Sequence, residues 1–242
     1  MKQSIILFAL GILGFLTANA QVKIGFTGGI DYSKMNIHRE YQDDFGIQGI
    51  PGYHFGLASK YQISKSVNLT TDFLFAKKGF SQPTSQVILD KDRLIYNVSD
   101  IKVSLYYIEI PVLTEFKVEY EKMNVLFAIG PYISYGIDGN INMDIESASA
   151  SINYSDKIRW SKSNGMGSDT NESIVDNLGY SQIKRLDYGP IVRFGVEYNS
   201  FIVNAEFQYG LANLMWEYRQ QERMNNQSLG LSFKYLFNLN KQ

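Results

Sequence analysis

The sequence predicts an all-β protein, an eight-stranded antiparallel up-and-down transmembrane β-barrel. Apolar and polar residues alternate with a period of two in eight segments, and the connections between these segments are alternately short and long. Aromatic residues make up 14% of the 242 residues and charged residues only 19%. Alternation of this kind marks strands with one apolar face. An even number of strands with short turns at one end and long loops at the other is typical of barrels that span a membrane.

The alternation gives the position of each predicted strand. In the last segment, Leu229 and Leu231 share one face, whereas Gly230 lies on the other. Because successive side chains of a strand point to opposite sides of the sheet, each segment has one apolar and one polar face. The predicted strands are 22–34, 52–62, 67–78, 103–118, 124–137, 187–199, 201–213 and 227–238.

The connections between the predicted strands fall into two classes. The short ones are 64–66, 119–123 and 199–200. The long ones are 35–51, 79–102, 138–186 and 214–226. Since consecutive antiparallel strands turn at opposite ends of the sheet, we expect short periplasmic turns at one end of the barrel and long extracellular loops at the other.

Residues 1–20 have the organisation of a secretory signal peptide. Lys2 precedes an apolar run, and Ala18 and Ala20 form an A-x-A cleavage site. The apolar run is short for a transmembrane helix, which needs about 20 residues. We therefore predict that residues 21–242 form the mature chain, as one β-barrel domain.

Composition excludes several kinds of function. The chain has no cysteine, so a thiol nucleophile, a cysteine metal site and a disulfide are all excluded. The formal net charge is −1. A nucleic-acid-binding protein would carry a basic surface, and so we expect no nucleic-acid partner.

The stretch SLYYIEIPVL, residues 104–113, places a carboxylate and a proline in a strand rich in apolar residues. By alternation Ile108 and Ile110 face lipid, whereas Glu109 and Pro111 face the lumen. A buried carboxylate needs a cationic partner, and the predicted partners of Glu109 are Arg193, Lys23, Lys60 and Lys234. A proline cannot donate a ladder hydrogen bond, so we expect a bulge or a locally unpaired amide at Pro111.

Charges of both signs lie on the polar faces of the other strands as well. In a narrow eight-stranded barrel the lumen is filled by side chains, and glycines on the same face, such as Gly29 and Gly230, leave room for longer ones. The sequence therefore predicts a polar network in the lumen. Its members are Lys23, Asp31, Lys60, Asp72, Glu109, Arg193, Glu197, Glu206 and Lys234.

Five stretches of the chain resemble the PorT-like family of outer-membrane β-barrel proteins. They are YYIEIPVL, AIGPYISYG at 128–136, RFGVEY at 193–198, FQYGLANL at 207–214 and the terminal SLGLSFKYLF. The Tyr-x-Glu-Ile-Pro element of the family falls on Tyr107, Glu109, Ile110 and Pro111, and its Gly-Pro-Tyr element on Gly130, Pro131 and Tyr132.

The resemblance implies an eight-stranded barrel in the outer membrane of a Gram-negative cell, with a link to type IX protein secretion in some members. The chain departs from many outer-membrane barrels at its end. Its last aromatic residues, Tyr235 and Phe237, are followed by five more residues rather than closing the chain.

Two stretches of the sequence are candidate sites for chemistry. His38 lies near Asp43 and Asp44 in a long connection, but a solvated histidine is the better interpretation, and His54 is expected to be an interior polar residue. The stretch DGNINMDIE, residues 138–146, spaces acidic and amide residues like a calcium loop, yet it lacks the glycine and the glutamate of that motif. We therefore predict no catalytic residue, no metal and no cofactor.

The expected function is that of a non-enzymatic outer-membrane barrel with a structural or accessory role in the cell envelope, including secretion. Its expected partners are the lipid of the outer membrane and an envelope or secretion-machinery protein. A diffusion pore is a weaker alternative, because eight strands enclose no open channel unless the side chains leave one. Two further alternatives remain at this point. One is an outer-membrane enzyme acting on lipid or peptide at the extracellular rim, and the other is a soluble periplasmic barrel that binds a small apolar ligand within its ring.

Overall fold

The computed structural model describes residues 22–38, 46–89, 95–147, 151–160, 182–215 and 223–238. The predicted signal peptide, Asp43, Asp44, Trp216 and the last four residues lie outside these ranges. Within them, no helix is both long and apolar enough to cross a membrane.

The described chain is built of β-strands. They are β1 (Val22–His38), β2 (Gln48–Gln62), β3 (Val67–Leu89), β4 (Ile95–Tyr120), β5 (Met123–Ser147), β6 (Ser151–Lys157), β7 (Arg159–Trp160), β8 (Gln182–Ile183), β9 (Leu186–Tyr198), β10 (Phe201–Tyr209) and β11 (Arg223–Asn238). All eight strands predicted from the alternation are present, and three further short ones lie between β5 and β9.

Eight of these strands form a closed ring. Going round it, the order is β1, β2, β3, β4, β5, β9, β10 and β11, and every neighbouring pair is antiparallel. The first and last strands pair along their length, from Lys23 opposite Asn238 to His38 opposite Arg223. Closure leaves the ring without a free edge. The predicted up-and-down eight-stranded barrel is confirmed.

Over most of the ring the apolar face points outward. Phe26 is 61% exposed and Phe233 is 64% exposed, whereas the neighbouring Thr27 and Ser232 are buried. An exposed belt of large apolar side chains is the surface that a lipid bilayer covers. A soluble barrel with an apolar ligand inside needs the opposite arrangement, and so that alternative is wrong.

Three strands are much longer than the membrane requires. β3, β4 and β5 have 23, 26 and 25 residues, whereas about 9–11 residues span a bilayer. The predicted connection 79–102 is therefore wrong over most of its length, because it consists largely of β3 and β4. β5 also continues into the predicted connection 138–186, where β6 replaces β9 as its neighbour.

We call the outer parts of β3, β4 and β5, together with β6, the upper section. Here the polarity of the two faces is reversed. Ile101, Val103 and Ile141 are buried inside, while Lys102 and Asn142 point outward. The reversal in β5 occurs where its register with β4 shifts, between Tyr106 and Tyr107 of β4.

The buried apolar side chains of the upper section form one cluster with residues from the neighbouring strands and connections. We call this cluster the upper core. It contains Met35, Ile47, Phe80, Ile101, Val103, Leu105, Tyr107, Ile141, Met143, Ile158, Ile183, Ala212, Leu214, Met215 and Met224. The upper core closes the barrel above its polar lumen.

Pro111 faces the interior, as predicted, but causes no bulge. The register between β3 and β4 is the same on both sides of it, at Thr71 opposite Val112 and at Leu74 opposite Glu109. Pro111 has no Cα partner in β3 between these two pairs, as the unpaired-amide alternative expects. The hydroxyl of Thr71 donates a hydrogen bond to the Pro111 carbonyl at 2.9 Å.

Candidate functional site

The lower end of the lumen, next to the short turns, holds a balanced group of charges. Lys60 Nζ lies 2.8 Å from a Glu115 oxygen and 3.3 Å from a Glu197 oxygen. Lys23 Nζ reaches the other oxygen of Glu197 at 3.2 Å. The strands β1, β2, β4 and β9 supply these side chains, and so the ion pairs tie opposite walls of the barrel together.

A second group lies in the middle of the lumen. Asp72 of β3 accepts hydrogen bonds from Arg193 Nη1 at 2.6 Å and from Lys234 Nζ at 2.7 Å. Arg193 also donates through Nε to Glu206 at 2.7 Å. A guanidinium group can bind two carboxylates at once in this way because its donors lie in a fixed fork.

Glu109 lies above this group, and its partner differs from the predicted ones. It accepts hydrogen bonds from Lys78 Nζ and from the Gln208 amide, each at 2.5 Å. Lys78 also donates to Gln208 at 2.7 Å. The prediction that Glu109 pairs with Arg193, Lys23, Lys60 or Lys234 is therefore wrong.

Lys78 was missed because it is the last residue of a strand predicted at 67–78. In the structure β3 continues to Leu89, and Lys78 lies opposite Leu105 in β4. Glu109 is four residues further along β4, so the pair is diagonal. The sequence signal for Lys78 is its position six residues after Asp72. An even separation along a strand places both side chains on the same, interior face.

Asp31 and His54 form another buried pair. His54 Nδ1 lies 2.8 Å from Asp31 Oδ2 and 3.6 Å from Glu206 Oε1. One ligand atom from each of these residues lies within 4.8 Å of the others, so among the described residues these three form a His and carboxylate group that could hold a metal ion. A Cβ atom at Gly29 would approach the imidazole to 2.5 Å, and so the glycine gives the ring its space.

All nine predicted lumen residues thus face the interior. They form three groups rather than one, and His54 and Glu206 connect Asp31 to the group of Asp72. The structure adds interior polar residues that were not among the predicted members of the network: Lys78, Glu115, Tyr132, Asp187, Gln208 and Asn226. Most lie at positions of a predicted strand whose side chains point inward, but their residue types alone did not mark them as members of a charged network. Asp187 stood at the first position of its predicted strand.

The interior side chains leave little space. A cavity of about 10 Å³ lies among Lys60, Glu115 and Arg193, which is about the space that one water molecule occupies. The upper core lies above the polar groups. The described part of the chain therefore forms a filled barrel.

At the upper rim, an arginine lies between two aromatic rings. The guanidinium of Arg185 is 5.6 Å from the ring centre of Tyr135 and 5.3 Å from that of Trp160. It also donates a hydrogen bond to the carbonyl of Gly136 at 2.8 Å. A Cβ atom at Gly136 would lie 2.2 Å from the indole, so this position requires glycine.

The predicted calcium-like stretch lies on the outward face of β5. Asp138 forms an ion pair with Lys157 of β6 at 2.7 Å, and the hydrogen bond from Lys157 lowers the pKa of Asp138. The carboxylate is thus held by an ammonium group, as in an ordinary strand pair. The side chain of His38 and the neighbouring Asp43 and Asp44 lie outside the described residues.

His54 is enclosed in the lumen, 4% exposed, and the upper core separates it from the upper rim. It has a carboxylate partner but no route to a substrate outside the barrel. His54, the histidine whose side chain the structure describes, is therefore an interior residue, as predicted.

A closed antiparallel ring with an apolar belt and a charged, filled interior defines a transmembrane β-barrel. The model of a protein family matches residues 17–216. The chain belongs to this family, which is described as the outer membrane protein beta-barrel domain, and the family places it in the outer membrane.

Several solved structures are similar to the chain. Ail, the attachment invasion locus protein of Yersinia pestis, is 12% identical with a TM-score of 0.38, covering 91% of this chain and 100% of that one. Neisserial surface protein A is 9% identical with a TM-score of 0.40 and the same coverage. OprG of Pseudomonas aeruginosa is 12% identical with a TM-score of 0.40, covering 90% of this chain and 95% of that one. No curated protein matches the sequence.

Proposed function

We propose that this protein is a non-enzymatic barrel with a structural or accessory role in the cell envelope, acting through its upper section rather than through a channel. The observation that carries the proposal is the filled interior. Ion pairs cross the lumen at two levels, and the upper core lies over them. A barrel without an open path performs its role at its surface.

The upper section is the surface best suited to a partner. Its strands extend well beyond the ends of β9 and β10, and its outward face carries polar residues such as Lys102 and Asn142. Among the described residues, β6 pairs with β5 on one side only, and an unpaired strand edge is a surface to which a partner can add a strand. We infer that the partner is an envelope protein on the extracellular side.

The PorT-like sequence elements support a more specific version of this proposal, in which the partner belongs to a secretion machinery of the type IX kind. The element Tyr107, Glu109 and Pro111 faces the lumen of the barrel in the structure. These residues therefore support the fold, and the partner contact belongs to the outer surface.

The test is a pull-down of the tagged protein from native outer membranes in mild detergent, with stoichiometry by mass spectrometry. We expect one envelope protein in a fixed ratio to the barrel. Asn142→Arg, on the outward face of the upper section, should reduce recovery of that partner. Lys65→Glu, in an exposed turn at the opposite end, is the matched control and should not.

Recovery of the wild-type barrel alone would contradict an accessory role in a stable complex. Loss of the partner with Lys65→Glu and not with Asn142→Arg would place the contact on the periplasmic side. Hydrolysis of lipid or peptide by the purified barrel would contradict the non-enzymatic part of the proposal.

A further inference from the structure

Four buried oxygen atoms lie near one another without a hydrogen-bond partner. They are Tyr107 Oη, Ser134 Oγ, Asp187 Oδ1 and Asn226 Oδ1. Their residues are at most 3% exposed. The Asn226 side chain lies close enough to Tyr107 Oη to interact with it, but the two do not meet in hydrogen-bond geometry. Buried polar atoms are nearly always bonded, because leaving them unbonded costs free energy. Four such atoms in one region point to a ligand.

Contacts and register place the four residues at the same level of the barrel. Asn226 Nδ2 donates to Asp187 Oδ2 at 2.7 Å. Ser134 is the Cα partner of Asp187 in the pairing of β5 with β9. Tyr107 is the Cα partner of Gly136, two residues beyond Ser134 on the same face of β5. Four different strands therefore contribute one oxygen each, at the boundary between the lumen and the upper core.

The charge of Asp187 is not matched by a cation. Its Oδ2 atom accepts hydrogen bonds from the Tyr132 hydroxyl and the Asn226 amide, which are both neutral. Among the described residues, no cationic nitrogen lies within the 4.0 Å of an ion pair. Lys78 is the lysine that acts on Asp187 electrostatically, but its hydrogen bonds go to Glu109 and Gln208.

The lumen as a whole has the same imbalance. Its described carboxylates are Asp31, Asp72, Glu109, Glu115, Asp187, Glu197 and Glu206. Its lysines and arginine are Lys23, Lys60, Lys78, Arg193 and Lys234. A protonated His54, placed between Asp31 and Glu206, supplies one further positive charge. One negative charge then remains, and Asp187 is the carboxylate with neutral partners only.

We propose that Tyr107, Ser134, Asp187 and Asn226 bind a hard metal cation, of the Ca²⁺ or Na⁺ class, inside the barrel. Carboxylate, amide and hydroxyl oxygens are the ligands such cations prefer, and the set contains no nitrogen or sulfur ligand of the kind transition metals favour. A cation provides a partner for the free oxygens and for the charge of Asp187 in one step. A water molecule would do only the first. Na⁺ would balance the single remaining negative charge, whereas Ca²⁺ would exceed it by one. The site is independent of the proposed partner contact.

The test compares the unfolding temperature of the full barrel after folding in detergent with CaCl₂, NaCl or choline chloride at equal ionic strength. Choline is too large for an enclosed site of four side chains. We expect a higher unfolding temperature in the salt of the bound cation than in choline, and the comparison of Ca²⁺ with Na⁺ identifies that cation. Elemental analysis of the folded protein should find it in a one-to-one ratio.

Asp187→Asn should abolish the difference between the salts. Ser134→Ala, which removes one oxygen and changes little else, should raise the cation concentration needed for half of the effect several-fold. Asp138→Asn is the matched control, because it removes a carboxylate from the calcium-like stretch on the outside of the barrel. It should leave the difference unchanged.

Equal unfolding temperatures of the wild type in all three salts would overturn the proposal. An infrared band of a protonated carboxyl group that disappears in Asp187→Asn would overturn it too, because the bound species would then be a proton. If Asp187→Asn does not fold, Ser134→Ala decides the matter. A response to the salts identical to that of the wild type would then overturn the proposal.

Discussion

The ion pair of Lys78 with Glu109 carries a testable consequence for stability. Both side chains are at most 3% exposed, so removing one charge leaves the other buried without compensation. We expect Glu109→Gln to lower the free energy of unfolding by about 3–5 kcal/mol. The measurement is urea unfolding of the barrel in lipid vesicles.

The control for this experiment is Lys117→Gln, which breaks the pair of Lys117 with the exposed Glu119. Water solvates that pair, and we expect no measurable change in the unfolding free energy. If Glu109→Gln were as stable as the wild type, Lys78 would not depend on Glu109 for compensation of its buried charge, and the prediction would be wrong.

Residue orientation was predictable from the sequence, whereas residue pairing was not. Alternation assigns each side chain of a strand to one of two faces, and so Glu109 and Arg193 were placed in the lumen correctly. The partner of Glu109 depends on the tilt of the strands and on the stagger between them, which a closed barrel determines as a whole. The Lys78 contact is diagonal for this reason, and alternation contains no information about it.

At the scale of an element, the close fit of Trp160 over Gly136 can be tested by fluorescence. A Cβ atom at residue 136 would displace the indole, and with it the contact to Arg185. In a Trp216→Phe background, where Trp160 is the remaining tryptophan, we expect Gly136→Ala to shift its emission to longer wavelength as the ring becomes exposed.

Gly28→Ala is the control for that measurement. Its Cβ would meet its nearest neighbour at 3.7 Å, an ordinary contact, and so the emission should not change. An unchanged spectrum in Gly136→Ala as well would show that the indole does not pack on β5 in solution.

The upper parts of β3 and β4 were missed in the sequence for a physical reason. Within the membrane a strand needs an apolar outer face, which produces clear alternation. Outside it the outer face meets water, and segments such as 79–89 mix small, polar and apolar residues with a proline. Pairing with neighbouring strands, rather than a pattern within each segment, makes these residues strands.

For the whole molecule, the filled lumen predicts that the barrel does not conduct. The described interior is crossed by ion pairs and holds a cavity of about 10 Å³, which is room for about one water molecule. We expect no unitary current steps when the purified protein is added to a planar bilayer. A general porin added to the same membrane is the positive control, and reproducible steps from the wild type alone would contradict the prediction.

The reversal of polarity between the belt and the upper section also makes insertion into the membrane and withdrawal from it unequal. We expect the upper section to cross the hydrocarbon before its strands bury the upper core and turn their polar side chains outward. Once it has folded on the far side, withdrawal would draw Lys102, Asn142 and their neighbours back through lipid. The folded upper section therefore opposes withdrawal of the barrel from the membrane.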